Sequence, residues 1–268
     1  IRKPASVQRV MGLVLLALVP GITAYALKVS AGILVNLALA SLTAVAAEAL
    51  MLALRKRPIA IAVTDLSAIV TAWLVALCFP PIVPWWLTML AVLVAIIVAK
   101  HLYGGLGQNP FNPAMVAYCS MIVAYPALMS QWPAAGSLSF DTQLGLILGG
   151  ARDLDGMTGA TALDALRTGL RSGASSVEAV LQGSAFGFFG GRGWEWVSLG
   201  YLGGGLLLLA TRIITWHMPA AFITALTLIS GTFWLFDPTR FASPLFHLAS
   251  GGAMLAAFFI VTDPVSGA

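Results

Sequence analysis

A chain of 268 residues with 59% hydrophobic and 9% charged residues is no soluble globular domain, for which roughly 45–50% and about 25% are usual. Its mean hydropathy of +0.94 indicates a polytopic membrane protein. The net charge of +4 rests on Lys and Arg gathered at the ends of apolar runs, not on one face, so nucleic acid is excluded as a partner.

A transmembrane helix needs about 20 mostly apolar residues. Val10–Leu27 is the first such run, led by Arg2, Lys3 and Arg9. It is no signal peptide, because further spans follow it. Ile33–Leu54 comes next and ends at Arg55-Lys56-Arg57. Ile59–Phe79 stops at Pro80-Pro81, where a helix cannot continue. Trp85-Trp86 forms an interfacial anchor before Trp86–His101, and Ala114–Met129 is the fifth run. The polar stretch Gln131–Gly193 carries five acids and four arginines. Trp196–Ile213, Ala220–Phe236 and Leu245–Val261 complete about eight expected spans.

Alternating these spans puts Arg2, Lys3, Arg9, Arg55, Lys56, Arg57, Lys100 and Arg212 on one side. Only Lys28 and Arg240 remain on the other, outside the long stretch. Eight against two predicts a cytoplasmic N-terminus and a periplasmic 131–193 loop, by the positive-inside rule. The expected organisation is a first transmembrane repeat over 1–130, the loop over 131–193, and a second repeat over 194–268. Val63-Thr64-Asp65-Leu66-Ser67 echoes Val261-Thr262-Asp263-Pro264-Val265-Ser266, which suggests repeats with broken helices.

Polar residues inside such a chain are candidates for function. Glu48 reads equally as a structural acid or as an ion- or proton-handling one. Asp65 and Asp263 read equally as helix caps or as cofactor or cation ligands. The loop Gly104–Pro113 pairs glycines with Asn109-Pro110 and Asn112-Pro113, amides able to read the edge of a heteroaromatic ring. The two cysteines, Cys78 and Cys119, read as buried structural thiols; His101, His217 and His247 read as interfacial residues without metal-ligand spacing. Trp194, Trp196, Trp216 and Trp234 read as an aromatic belt. On residues alone, a channel or secondary transporter and a scaffold for partner subunits both stay open.

Asp155-Gly156-Met157-Thr158-Gly159-Ala160-Thr161 is a small hydroxyl-rich island in this apolar chain. It resembles the flavinylation motif Asp-x-x-(Ser/Thr)-Gly-Ala-Thr. Gly107-Gln108-Asn109-Pro110-Phe111-Asn112-Pro113-Ala114 and Thr262-Asp263-Pro264-Val265-Ser266 are similar to two further motifs of the same family, as is Ser6-Val7-Gln8-Arg9-Val10-Met11. These motifs occur in the family's order and span essentially the whole chain. The family is that of the D subunits of Rnf (Rsx) ion-translocating oxidoreductases, with the B subunits of sodium-pumping NADH:quinone reductases as close cousins.

The resemblance implies an all-α, urea-transporter-like bundle of inverted repeats in the bacterial inner membrane, continued by C-terminal helices absent from this sequence. It implies an electron-relaying flavoprotein within a ferredoxin- and NAD-linked complex coupled to Na⁺ or H⁺ translocation. The partners would be the A, B, C, E and G subunits of that complex, and a flavin transferase would mature the chain. Thr161 carries over as the residue joined to FMN through a phosphoester, with Asp155, Thr158, Gly159 and Ala160 completing the motif. Asn109, Asn112 and Asp263 carry over as candidates for a non-covalent riboflavin. A helix starting near Ala162 would aim N–H groups at the phosphate, and Arg152, Arg167 or Arg171 would pair with it. Relatives also carry Gly-Glu-Thr-Ser before the sixth span, where Gly191-Arg192-Gly193-Trp194-Glu195 stands here, keeping a Gly and Glu195.

Overall fold

The computed structural model describes residues 6–59, 64–105, 107–149, 157–174 and 176–263. Among them every regular element is a helix, with two isolated β-bridges. The long apolar helices are α1 (Val7–Lys28), α2 (Gly32–Leu54) and α11 (His217–Phe236), each long and apolar enough to cross a membrane. The remaining expected spans are shorter or broken. The described part of the third is α3 (Ser67–Cys78), entered through Leu66 in the left-handed region. The fourth is α4 (Trp85–Leu93), which widens into a π-helical end, Val94–His101. The fifth is α5 (Pro113–Ala124), set off by Tyr125 from the single turn α6 (Pro126–Met129). The sixth is α10 (Trp194–Ala210). The eighth divides at Ser250–Gly252 into α12 (Pro244–Ala249) and α13 (Ala253–Leu255), again with a π-helical end, Ala256–Ile260.

Local chemistry accounts for these boundaries. Ser6, Ser139 and Ser243 cap helix N-termini by accepting a backbone N–H three residues on, which satisfies one of the donors a helix start leaves free. Pro113 stands at the first position of α5, where its missing N–H costs nothing. The α3–α4 connection, Phe79–Pro84, is buried although it is not helical. Asn36 of α2 supports it, donating from Nδ2 to the Pro81 carbonyl at 2.9 Å. Non-helical backbone at membrane depth requires such internal satisfaction.

The two halves of the chain meet where α1 crosses α10. A Cβ on Gly200 would come within 2.7–2.8 Å of Gly21 and Pro20 backbone, and one on Gly204 would run into the Ala17 carbonyl. Small residues here let the helix backbones approach closely, the usual device for holding helices together in lipid.

The described residues of 131–193 are folded. They hold α7 (Phe140–Leu148), α8 (Ala162–Arg171) and α9 (Val177–Leu181). Ala162, Leu166 and Val177 form a small second core with Ala242 and Phe246 from the α11–α12 region. Val177 N–H also donates to the Thr239 carbonyl at 2.7 Å. At its other edge, Ser30 in the α1–α2 turn donates to Gln143 Oε1 of α7 at 2.7 Å. The α1–α2 turn, the 131–193 unit and the α11–α12 connection therefore share one end of the bundle. The α2 and α4 C-termini meet at another, where the Arg55 guanidinium donates to the His101 carbonyl.

Three expectations need correction. His101 is buried at 2% exposure, not interfacial, and Lys100 beside it is equally buried. Lys100 is thus a paired interior charge, which takes it out of the charge asymmetry used to orient the chain. Trp194 is not in a belt: it packs edge-on to Tyr25 at 5.2 Å and to Trp132 at 5.6 Å. Trp196 and Trp216, by contrast, are exposed. Both cysteines are free, but Cys119 is exposed and Cys78 half-buried, so neither is a fully interior thiol.

Candidate functional site

Thr161 is the N-cap of α8. Its Oγ1 accepts the Asp164 N–H at 3.4 Å, and its carbonyl accepts the Ala165 N–H at 2.7 Å. The preceding segment is pinned to the extended stretch 131–137: Gly159 N–H donates to the Trp132 carbonyl at 2.9 Å, and Thr158 bridges Pro133. α8 itself is seated by close contacts at its first turn. A Cβ on Gly191 would lie 2.8 Å from Ala162 Cβ, and one on Gly251 would lie 3.3 Å from Leu163 Cδ1. Thr161 is therefore held against the membrane bundle by a rigid helix start, while Gly159 and Ala160 before it are exposed.

Two cavities open on Thr161. One, of ≈ 490 Å³, runs between Trp132–Ser137, Gly159–Ala162, Ser184–Ala185 and Arg192. The other, of ≈ 330 Å³, enters the bundle between Cys78, Met115, Tyr118, Trp132, Trp194, Gly251 and Ile260. Both fall within the roughly 300–1,000 Å³ of cofactor-sized sites. The second is walled by three aromatic rings. Thr158 lines neither, which separates it from Thr161 although both are threonines of one motif.

Of the arginines expected near the phosphate, Arg167 and Arg171 line neither cavity, and Arg152 lies outside the described residues, as does Asp155. Arg192 lines the larger one instead. Its distance in sequence from Thr161 hid it, since only the fold of the 131–193 unit brings the two together. Glu195 has a positional role. Its buried carboxylate accepts the N–H groups of Phe188 at 2.9 Å and Phe189 at 3.2 Å, fixing the loop that leads to Arg192.

The asparagine loop lies beyond the inner end of the smaller cavity. Asn112 caps α5, its Oδ1 accepting the Ala114 and Met115 N–H groups at 2.9 and 3.4 Å, while its Nδ2 donates to the Ile260 carbonyl at 3.5 Å. Met115 and Ile260 both line the cavity that begins at Thr161. Asn109 donates to the Phe111 carbonyl at 2.8 Å, and its Oδ1 is buried without a hydrogen-bond partner. Asn112 is thus committed to the fold, whereas Asn109 keeps a free acceptor. Asp263 lines a separate small cavity of ≈ 60 Å³ with Ser67, Thr262 and residues of α1 and α10. Asp65 Oδ1 accepts the Ser67 N–H at 2.7 Å, two residues on, just before the helix whose N-cap is Leu66. Among the described residues no group of three or more His, Cys, Asp or Glu side chains could hold a metal ion.

The described residues form an all-helical, membrane-type bundle with a helix-capping threonine beside two cavities at one end. The chain belongs to the NQR2, RnfD, RnfE family, whose match covers residues 1–268. Among similar proteins, the D subunit of the ion-translocating oxidoreductase complex of Vibrio vulnificus (strain YJ016) is 48% identical over 94% of this chain and 78% of its own length. The corresponding D subunits from Alcanivorax borkumensis and Ectopseudomonas mendocina are 49% and 51% identical, over 95% and 97% of this chain and 75% and 76% of their own lengths.

Proposed function

We propose that this chain is the D-type subunit of an Rnf-like ion-translocating oxidoreductase in a bacterial inner membrane, and that it carries FMN joined through a phosphoester to Thr161 Oγ1. The observation that carries this reading is Thr161 itself, a cap hydroxyl that lines two cofactor-sized cavities while its motif neighbour Thr158 lines neither.

The residues present fit such a group. The first-turn N–H groups of α8 face an anion at Thr161, and Arg192 supplies a guanidinium in the same cavity. Asp164 in that first turn opposes a phosphate, so the arginine carries weight beyond the helix dipole. Gly159 and Ala160 leave the hydroxyl open to a flavin transferase. Tyr118, Trp132 and Trp194 offer aromatic surface for a planar ring in the smaller cavity. The flavin, when bound, supplies one- and two-electron chemistry; the chain supplies position and electrostatics.

Riboflavin is the proposed second group, beside Asn109, whose unsatisfied Oδ1 is an acceptor for a ring N–H. The smaller cavity is lined by Met115 and Ile260, two of the residues that hydrogen-bond Asn112. That continuity supports an electron path from the Thr161 end through the bundle towards the asparagine loop. Thr161 would face the periplasm and the N-terminus the cytoplasm, with the A, B, C, E and G subunits as partners and Na⁺ or H⁺ as the transported ion. The direct test is peptide mass spectrometry of the chain from cells that make the transferase. The Thr161 peptide should be heavier by one FMN phosphoester, and an unmodified peptide throughout the preparation would remove the proposal.

A further inference from the structure

The break in the eighth span carries a hydroxyl that the fold itself does not use. Ser250 is 3% exposed, and its Oγ has no hydrogen-bond partner. Elsewhere in the bundle such hydroxyls are satisfied on their own helix. Ser41, Ser120, Ser230 and Thr262 each donate to the carbonyl four residues back. Ser250 makes no such bond. It closes α12, and the next helix, α13, starts on Gly252 without a side-chain cap.

The surroundings hold Ser250 in place. Ser198 Oγ of α10 reaches the carbonyls on either side of it, Ala249 at 3.4 Å and Gly251 at 3.5 Å. A Cβ on Gly190 would lie 2.7 Å from Ala249 Cβ, so the loop fixed by Glu195 packs closely on the end of α12. A buried hydroxyl without a partner lowers stability, because its lost hydration goes uncompensated.

Ser250 lines the ≈ 330 Å³ cavity that opens at Thr161 beside Tyr118, Trp132 and Trp194. Tyr25 and Tyr201 also carry buried hydroxyls without partners, but they line neither cavity at Thr161. Among the described residues, Ser250 is thus the buried, unpartnered side-chain oxygen of the aromatic-walled cavity.

Building on the reading of Thr161 as the FMN site, we propose that Ser250 is a binding residue for the tethered ring, its hydroxyl donating a hydrogen bond to the ring's polar edge. A flavin ring is apolar along its dimethylbenzene edge and carries carbonyl oxygens and ring nitrogens along the opposite one. Within the ring, only that second edge can satisfy a hydroxyl. Thr161 and Ser250 then hold the group at two points of one cavity, one covalently and one by a hydrogen bond. Reduction puts more negative charge on the polar edge, so a donated hydrogen bond favours the reduced form. No covalent bond forms or breaks at Ser250.

The test uses the full chain, purified in detergent from cells that make the flavin transferase, with Thr161→Ala as the background without a tethered flavin. In the loaded chain Ser250→Ala should lower the flavin midpoint potential by about 30 mV, a tenfold change in a two-electron equilibrium. It should also lower Tm by roughly 2–4 °C, and Ser250→Thr should restore most of both. In the Thr161→Ala background the same substitution should leave Tm unchanged or higher, since it removes an unsatisfied hydroxyl. An unchanged potential, as a bond to the ribityl chain alone would give, overturns the role of Ser250. An equal loss of Tm in both backgrounds overturns it too, by marking a structural hydroxyl. A wild-type chain without flavin on a denaturing gel would instead remove the Thr161 reading, and this inference with it.

Discussion

The side-chain amide of Asn112 reaches the carbonyl of Ile260 at 3.5 Å, joining the two halves of the chain across 148 positions. Each partner stands at a break: Asn112 opens α5, and Ile260 closes the π-helical end of α13. Ile260 lines the cavity that opens at Thr161, as does Met115, whose N–H Asn112 accepts. Asn112→Ala should destabilise the solubilised chain by about 1 kcal/mol through the lost cap. Asn112→Asp should keep the cap and lose the tie to Ile260, giving a smaller drop in Tm.

The α1–α10 crossing predicts a sharp contrast between neighbouring glycines. Gly204→Ala drives a methyl into the Ala17 carbonyl and should cost about 1–3 kcal/mol. A Cβ on Gly203 meets nothing within 4 Å, so Gly203→Ala should be neutral or stabilise by roughly 0.5–1 kcal/mol. Thermal unfolding in detergent reads both, and equal effects would contradict the seam described for these helices.

Glu195 fixes the loop 187–192 by accepting two backbone N–H groups. Glu195→Ala strands both donors in a buried place and should cost about 1–3 kcal/mol. Limited proteolysis should then cut first between Ala185 and Arg192, whereas Glu195→Gln, which still accepts, should resist cleavage nearly as well as wild type.

Arg192 is expected to act on the phosphate at Thr161, since it lines the same cavity. Arg192→Ala should lower the yield of flavin-bearing chain by on the order of tenfold, the worth of one charge-assisted hydrogen bond. Arg192→Lys should recover part of it, while Arg167→Ala and Arg171→Ala should load normally.

The α11–α12 connection should respond to acid. The Thr239 hydroxyl, donating to Asp237 at 2.6 Å, holds that carboxyl below its ordinary value. Its folded-state value is depressed, so its contribution is present above about pH 4 and fades as pH falls through the lower folded value. The Val177 amide that donates to Thr239 should therefore lose protection, relative to its intrinsic exchange rate, at strongly acidic pH, and Thr239→Val should move that change to higher pH.

Much of this was legible in the residues. The helical class and most helix boundaries follow from apolar run length, prolines and serine caps. The start of α8 at Ala162 follows from a capping threonine before an amphipathic run. What the sequence hides depends on long-range packing. Lys100 reads as a span-end charge because nothing local reveals that Glu48, 52 positions earlier, meets it inside the bundle. Trp194 reads as an interfacial ring because its partners Tyr25 and Trp132 come from other segments. Arg192 is passed over in favour of arginines nearer Thr161 in sequence, although the fold of 131–193 turns Arg167 and Arg171 away from both cavities.

The most direct test of the central claim is in-gel fluorescence of the denatured chain, made in cells that express the flavin transferase. A flavin bound through a phosphoester survives denaturation, so the wild-type and Thr158→Ala bands should glow under ultraviolet light and the Thr161→Ala band should be dark. A dark wild-type band, or a glowing Thr161→Ala band, would contradict the assignment of Thr161.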